Sequence, residues 1–393
     1  MHTQVAIIGA GPAGLMLAHL LARAGLETVV LERRSRAHVE GRIRAGVLEA
    51  GTVDLLRAAD LGARMDREGQ RHRGAVFADA ERTVRVDFED ACGRSVMVYG
   101  QTEITRDLYA AQDARGAPVH HGVEGVQFSG LDGGRVEVSW RKNRTEQRLT
   151  ADFLAGCDGF HGISRQAIPS AARQEAERVW PFAWLGLLSE SPPAAGELVY
   201  AASPRGFALA SMRNPGLSRY YLQVPSGTAA EDWDDAAFWA ELRRRLPEAV
   251  AARLQSGATV EKSVAQLRSF VCTPMRWGRL FLCGDAAHIV PPTGAKGLNL
   301  ALADARLLAA ALALWYDRHD VSGLDAYSDR ALTRVWRAMR FSAAMTAMLH
   351  RMPSADPFEE RLQAAELAQL AESKTARRLL AENYTGLALD CPD

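Results

Sequence analysis

Residues 4–34 read QVAIIGAGPAGLMLAHLLARAGLETVVLERR, and this stretch constrains the fold more than any other. The β-branched run Val5 to Ile8 suits a buried parallel strand, and Leu15, Leu17, Ala18 and Leu21 make a mostly apolar helix. Val29 to Leu31 form a second buried strand, so the chain opens on a βαβ unit. Between strand and helix stands Gly9-Ala10-Gly11-Pro12-Ala13-Gly14, a GxGxxG. Gly9 makes the tight turn, Gly11 lets backbone approach a pyrophosphate, and Gly14 permits close helix packing. The helix N-terminus then faces the phosphates, and Glu32, 18 residues after Gly14, is placed to accept from ribose hydroxyls. A tight turn with no ligand is the bland alternative. The strand–turn–helix–strand context and the acid at the second strand's end favour a dinucleotide. A second GxGxxG is absent, so only one dinucleotide has a dedicated fold.

At 393 residues the chain predicts about two domains. Forty-seven basic residues balance forty-seven acidic ones, which gives no electrostatic reason to expect nucleic acid or an anionic membrane as partner. The five cysteines, Cys92, Cys157, Cys272, Cys283 and Cys391, show no paired spacing and read as reduced cytosolic thiols without a metal site. The first Lys or Arg is Arg23, so the N-terminus lacks the positive region of a signal peptide. The apolar run after residue 298 is interrupted by Asp304, Arg306 and Asp317, and no stretch is expected to reach membrane-spanning length. A cytoplasmic location is expected.

Residues 75–150 change to short alternating pieces expected to be antiparallel strands, with the basic run Arg141 to Arg144 capping an exposed hairpin. Alternation returns from about 180 to 270 around a helical insert at 232–246. Residues 280–283 form another buried strand, and the chain after 298 is helical nearly to its end. The fold class is therefore α/β (α+β mixed), with a dinucleotide-binding domain interleaved with a β-sheet domain. The expected division assigns residues 1–72, 96–180 and 268–350 to the first. Residues 73–95 and 181–267 belong to the second, and 351–393 form a helical C-terminal region.

Residues 284–302, GDAAHIVPPTGAKGLNLAL, join a carboxylate, a rigid Pro-Pro and a glycine-rich turn to a helix start. Asp285, at a strand's carboxyl end, suits a ribityl or ribose hydroxyl, and a helix starting near Leu298 offers free N–H groups to developing negative charge. Pro291-Pro292 has no N–H and is stiff, so it can present a carbonyl without moving, and Lys296 adds positive charge. An ordinary loop with a helix cap explains this motif alone. Together with the N-terminal turn, it points to a flavin.

The segments GRIRAGVLEAG, CDGFHGISRQAIP, PRGFALASMR, SRYYLQVP, LFLCGDAAHIVPPTGAKGLNLAL and AENYTGL together closely resemble the 4-hydroxybenzoate 3-monooxygenase family of single-component flavoprotein aromatic hydroxylases. The resemblance covers about residues 3 to 390. It implies FAD bound by Gly9, Gly11, Gly14, Glu32, Arg42, Arg44, Gln101, Asp158, Asp285, Lys296, Leu298 and Asn299. It implies a substrate carboxylate held by Ser211, Arg213 and Tyr221, and a phenol meeting Tyr200, which leans on Tyr384, with His72 linking the pair to solvent. The Pro292 carbonyl would also contact the phenol. The implied reaction converts 4-hydroxybenzoate to 3,4-dihydroxybenzoate with O2 and NAD(P)H through a flavin C4a-hydroperoxide. A homodimer is implied too. The chemistry of the residues agrees: a benzoate needs a guanidinium and hydroxyls at one end, and two tyrosines in series can move a phenol proton outward.

The resemblance further implies that the hydride donor meets Arg33, Arg34, His38, Arg44, His161 and Arg268. Arg34 and His38 depart from the residues associated with strict NADPH use, although adjacent arginines can hold a 2′-phosphate. NADPH is favoured, with NADH or mixed use open. Taken singly, Tyr200 or Tyr384 reads as a packing residue, His72 as a solvated surface histidine, and Arg213 as an ion-pair partner. Their joint occurrence in order reverses that reading. The alternatives are another hydroxybenzoate or an aminobenzoate as substrate, or a non-catalytic FAD-binding protein. WPFAW at 180–184 does not match the WxWxIP of a flavin halogenase.

Overall fold

The computed structural model describes residues 1–44 and 46–386. Cys391 and the last part of the expected C-terminal region, 387–393, lie outside them. The buried strand His2–Ile8 is central to the first sheet, with Thr28–Glu32 parallel on one side and Thr145–Gly156 parallel on the other. Val119–His121 extends the sheet beyond Thr28–Glu32, and Leu280–Leu282 extends it beyond Thr145–Gly156, both parallel. Strand order reverses at His2–Ile8, so a crevice opens beyond the carboxyl ends of the strands. Val5 to Ile8 are at most 5% exposed because helices cover the sheet, as parallel strands require.

The second sheet has eight strands in the order His288–Ile289, Ala258–Thr273, Gln174–Glu190, Leu217–Pro225, Gly206–Asn214, Val199–Ser203, Gly74–Ala78 and Thr83–Asp87. Period-two alternation sends Ala208 and Ala210 to one face, with Tyr220 and Leu222, beneath the helix Asp235–Arg245. The other face carries Trp184, Tyr200, Phe207 and Leu209 toward the helices Ser322–Leu349 and Lys374–Tyr384. Gln174–Glu190, whose register against Ala258–Thr273 shifts between Val179 and Ala183, spans position 180, and Ala258–Thr273 spans position 268, so the expected domain boundaries there fall inside strands. A third, small sheet joins Val47–Leu48, Val96–Val98 and Gln70–His72.

Two expectations need correction. Residues 101–114 are a helix, Gln101–Ala114, within the stretch expected to be strands. Its inward face includes Thr105 and Gln112 as well as Ile104, Leu108 and Tyr109, so the apolar periodicity is too sparse to read. The helix Gly297–Arg318 is long and apolar enough to cross a membrane by length and composition, contrary to expectation. Here it is a core helix, packed on Pro12–Arg23 and Ser322–Leu349. Asp304, expected to break the run, is buried on it as the partner of His288. The Arg141–Arg144 run does turn a hairpin, with Asn143 and Arg144 both at positive φ between Val136–Lys142 and Thr145–Gly156.

Candidate functional site

Four strand ends meet at the crevice. Gly9 has φ +104°, and a Cβ there would lie 2.3 Å from the Cys157 carbonyl oxygen. A Cβ on Gly14 would lie 2.0 Å from the Gly9 carbonyl oxygen, so the turn and helix approach as only glycines allow. Above Gly11 nothing lies within 4 Å, which leaves open space at the N-terminus of Pro12–Arg23. Glu32 is buried, accepting from the Ala10 N–H at 2.8 Å and the Arg34 N–H at 2.8 Å, so it shapes the turn from beside it. Asp158 accepts from the Ser164 N–H and hydroxyl, both at 2.9 Å, while its Oδ1 has no partner among the described residues.

Asp285 stands at the junction of the two sheets: Leu280–Leu282 belongs to the first, and His288–Ile289 pairs with Ala258–Thr273 of the second. Its carboxylate is open to solvent yet deep between protein walls. That surrounding raises its pKa, while His288, Arg44 and Arg42 oppose the rise. Its loop is held by Asp304, which accepts from the Gly284 N–H at 2.9 Å and meets His288 Nε2 at 2.7 Å. Burial works against charge on His288, but Asp304 outweighs it and raises the pKa. Arg42 and Arg44 lie close enough to Asp285 to favour its charge. Thr102 Oγ1, beside Gln101 at the start of Gln101–Ala114, donates to the Arg42 carbonyl at 3.1 Å.

Lys296 and Asn299 are not free to face a ligand with their polar ends. Lys296 Nζ donates to Glu49 Oε1 at 2.5 Å and to the carbonyls of Asn383 and Tyr384 at 2.6 and 2.9 Å. Asn299 accepts from the Glu49 N–H and donates to the Val47 and Ala295 carbonyls, all at 2.9 Å. Both staple the 47–49 segment to the start of Gly297–Arg318, on whose first turn Leu298 sits half-buried. The Pro292 carbonyl accepts from the Ala295 N–H at 3.0 Å, which leaves it one lone pair.

On the second sheet Tyr200, Leu209, Tyr221 and Gly186 form one cross-strand row. Tyr200 and Tyr221 therefore stand two strand spacings, about 10 Å, apart on one face. Gly186 leaves the room that Tyr221 and Arg219 occupy, since a Cβ there would meet the ring at 2.9 Å and the guanidinium at 2.7 Å. Tyr200 and Tyr384 share a hydroxyl–hydroxyl hydrogen bond of 2.6 Å, both rings buried. Burial raises both phenols, Tyr384 to about 12 because the bond from Tyr200 offsets part of the rise. His72 is buried with neither ring nitrogen partnered among the described residues, and burial lowers its pKa to about 4. The Arg73 carbonyl next to it accepts from the Phe88 N–H at 2.7 Å, and the Phe88 ring stacks on Tyr384 at 4.8 Å.

Arg213 Nη1 reaches Ser211 Oγ at 3.5 Å and the Met212 carbonyl at 3.1 Å, while its Nε has no partner among the described residues. One edge of the guanidinium meets solvent, yet protein surrounds it deeply enough that burial lowers its pKa. Ser211 Oγ donates to the Arg219 carbonyl at 2.7 Å. Arg219 was not expected. Its buried guanidinium pairs with Glu261 at 3.0 Å, donates to Ser263 at 2.9 Å and lies 5.2 Å over the Tyr221 ring. Burial works against charge on Glu261, but Arg219 and Ser263 hold its pKa below the ordinary range; Arg44 adds to this and also opposes the rise at Asp285, so it lies between the crevice and the sheet face. Gly186 lies in none of the quoted segments, and Arg219, although within SRYYLQVP, is assigned no role there; their roles come from a register that pairs distant strands.

Phe160 gathers a third group: Arg268 lies 4.6 Å over its ring and ion-pairs with Glu177 at 3.1 Å, and the exposed His161 packs edge-on at 5.0 Å. Arg33, Arg34 and His38 are exposed beyond Thr28–Glu32, and no bond among the described residues links them to His161 or Arg268.

A flavin dinucleotide fits the residues present. Open space over Gly11 and an accessible carboxylate at Asp285 lie where the parallel strands end, and the Asp158 Oδ1 beside them is buried without a partner among the described residues. Residues 2–342 match the FAD binding domain family. The chain is 46% identical over 388 residues to p-hydroxybenzoate hydroxylase of Acinetobacter baylyi, covering 98% of this chain and 96% of that one. Crystallised p-nitrophenol 4-monooxygenase from Pseudomonas putida DLL-E4 superposes with a TM-score of 0.80 at 20% identity, covering 98% and 99% of the two chains, a likeness of fold. Anhydrotetracycline hydroxylase from Streptomyces rimosus gives 0.77 at 25% identity, over 98% and 76%. The chain belongs to the FAD-binding-domain family of flavoprotein aromatic hydroxylases, the one that includes p-hydroxybenzoate hydroxylase.

Proposed function

We propose that this protein is a flavoprotein monooxygenase that hydroxylates 4-hydroxybenzoate to 3,4-dihydroxybenzoate, using O2 and a nicotinamide hydride donor. One observation carries the choice of acid: a recessed guanidinium at Arg213, beside Tyr221 and with no ion pair among the described residues, and the buried Tyr200–Tyr384 hydroxyl pair lie against the same sheet face. That arrangement suits an aromatic ring with an anion at one end and a phenol at the other. The 46% identical hydroxylase supports the same reading.

Bound FAD supplies hydride acceptance and O2 activation. Gly9, Gly11 and Gly14 shape its phosphate turn. Asp285 is proposed for its ribityl or ribose hydroxyls, and Arg42, Arg44 and Gln101 for the adjoining wall. Arg213, with Ser211 and Tyr221, anchors the carboxylate. Tyr200 accepts the phenol's hydrogen bond, and Tyr384 receives the proton's place in the series, with the neutral His72 as the next acceptor. The Pro292 carbonyl, through its free lone pair, bounds the phenol end. Arg33, Arg34, His38, Arg44, His161 and Arg268 are proposed for the nicotinamide dinucleotide, with NADPH favoured. We also read the protein as cytoplasmic and homodimeric. Exposed Trp336, Phe358 and Leu362 on the C-terminal helices offer apolar surface a second copy would cover.

The test is oxidation of NADPH and of NADH by purified protein, with and without 4-hydroxybenzoate, with product identified by chromatography. Stoichiometric 3,4-dihydroxybenzoate supports the reading. Peroxide without that product redirects it to another hydroxybenzoate, and no stimulation by any aromatic acid leaves a non-catalytic flavoprotein.

A further inference from the structure

A buried hydrogen-bonded chain runs behind the proposed substrate site and uses none of the residues assigned to it so far. Thr293, in the loop that contains Pro292, meets Thr346 hydroxyl to hydroxyl at 2.9 Å. The Thr346 hydroxyl gives its only proton to the Ser342 carbonyl at 2.7 Å, so Thr293 is the donor to Thr346. The Thr346 carbonyl accepts from the backbone N–H of His350 at 3.0 Å and lies 2.9 Å from its Nδ1. On the other side of the imidazole, Trp184 Nε1–H donates to His350 Nε2 at 2.7 Å. An indole can only donate, so Nε2 is bare and Nδ1 carries the proton. The tautomer is therefore set by geometry, and burial, which lowers the His350 pKa to about 3, keeps the ring neutral.

The far end of this chain is the aromatic wall. The Trp184 ring lies 4.8 Å from Tyr221 and 5.2 Å from Phe207, and Phe207 lies 6.4 Å from Tyr200. The His350 ring itself stacks on Phe182 at 4.6 Å and packs against Phe207 at 4.2 Å. The last turns of Ser322–Leu349, with His350 as the residue that caps them, thus join the Pro292 loop to the wall that carries Tyr200 and Tyr221.

We propose that His350, held by Thr346, is a positioning residue that sets the gap between the Pro292 loop and the Trp184–Tyr221 wall, and so the length of aromatic acid the site accepts. This rests on the proposed function. The position calls for a side chain that donates to a carbonyl on one side and accepts from an indole on the other. Phenylalanine fills the volume but leaves the Trp184 N–H without an acceptor, and the wall must shift to relieve it. Glutamine keeps one donor and one acceptor.

The experiment compares wild type, His350→Phe and His350→Gln as FAD-saturated proteins, using 4-hydroxybenzoate and the one-methylene-longer 4-hydroxyphenylacetate. Calorimetric Kd, KM, kcat, melting temperature and flavin content are measured for each. His350→Phe is expected to weaken 4-hydroxybenzoate about tenfold in Kd and KM while kcat changes less, because a displaced wall costs alignment. Its preference for the shorter acid should fall by a similar factor, and His350→Gln should recover most of both. Should His350→Phe fold poorly, Trp184→Phe, which removes the indole donor, is expected to lower the same preference. Variants that keep wild-type Kd and preference overturn the inference and leave the function standing. A wild type that binds neither acid removes the function and this inference together.

Discussion

Replacing Arg213 with methionine should weaken substrate binding and stabilise the free protein at the same time. The guanidinium is largely surrounded by protein and its Nε is unpartnered among the described residues; it makes a long contact to Ser211 Oγ and a 3.1 Å bond to the Met212 carbonyl, and Tyr221 beside it also favours its charge. The nearby Arg219, although paired with Glu261, also disfavours its charge. Desolvating an unpaired cation costs several kcal/mol, and two ordinary hydrogen bonds return about 1 kcal/mol each. Methionine is unbranched and fills a similar path, so a net gain of about 1–2 kcal/mol in stability follows, or roughly 1–2 °C in Tm for a chain of this size. Binding moves the other way. Losing two charge-assisted bonds to a carboxylate removes about 3–5 kcal/mol, a loss of hundreds-fold or more in affinity. The assay is a thermal melt of FAD-saturated protein without aromatic acid, beside calorimetric titration with 4-hydroxybenzoate. A variant that melts lower, or that binds the acid as wild type does, refutes the reasoning: the guanidinium would then be structural.

Three further outcomes are expected. Tyr384→Phe leaves Tyr200 with no acceptor at 2.6 Å, and kcat should fall about 10–100-fold with little change in Kd and a shifted pH profile; an unchanged profile would exclude proton movement through the pair. Gly14→Ala places a methyl group 2.0 Å from the Gly9 carbonyl oxygen, so the purified variant should carry little flavin absorbance at 450 nm, roughly a tenth of wild type or less; a yellow, stable variant would show that the turn can give way. His72 and His350 have folded pKa values lowered by burial to about 4 and about 3, below the ordinary 6.5. Unfolding takes up protons at both, so their stability contribution is complete above pH 6.5 and is lost as pH falls toward those values. Denaturant unfolding at pH 5 against pH 7.5 should show a loss on the order of 2 kcal/mol for each histidine, and equal stability at the two values would contradict it.

What the sequence determined by itself was local. Val5 to Ile8, the glycines at 9, 11 and 14, and the apolar helix that follows form a βαβ unit because their periodicity and turn chemistry are set within 30 or so consecutive residues. The Arg141–Arg144 hairpin and the buried strand before Asp285 were legible for the same reason. The joint order of six segments also carried the flavoprotein family. Local order did not reveal what needs partners far apart in the chain. Lys296 reads as a free cation in sequence, but tertiary structure brings Glu49 and the Tyr384 carbonyl to it across 247 and 88 positions. Asp304 reads as a break in an apolar run, and only the fold turns it toward His288. His72, between two arginines, reads as a solvated surface residue, yet it is buried and neutral. The contacts of Arg219 and His350 were not legible, because sheet register and the end of a long helix decide what they touch. Sequence spacing sets backbone conformation over a few residues, whereas the charge state and partners of a buried polar group depend on which distant surfaces exclude water around it.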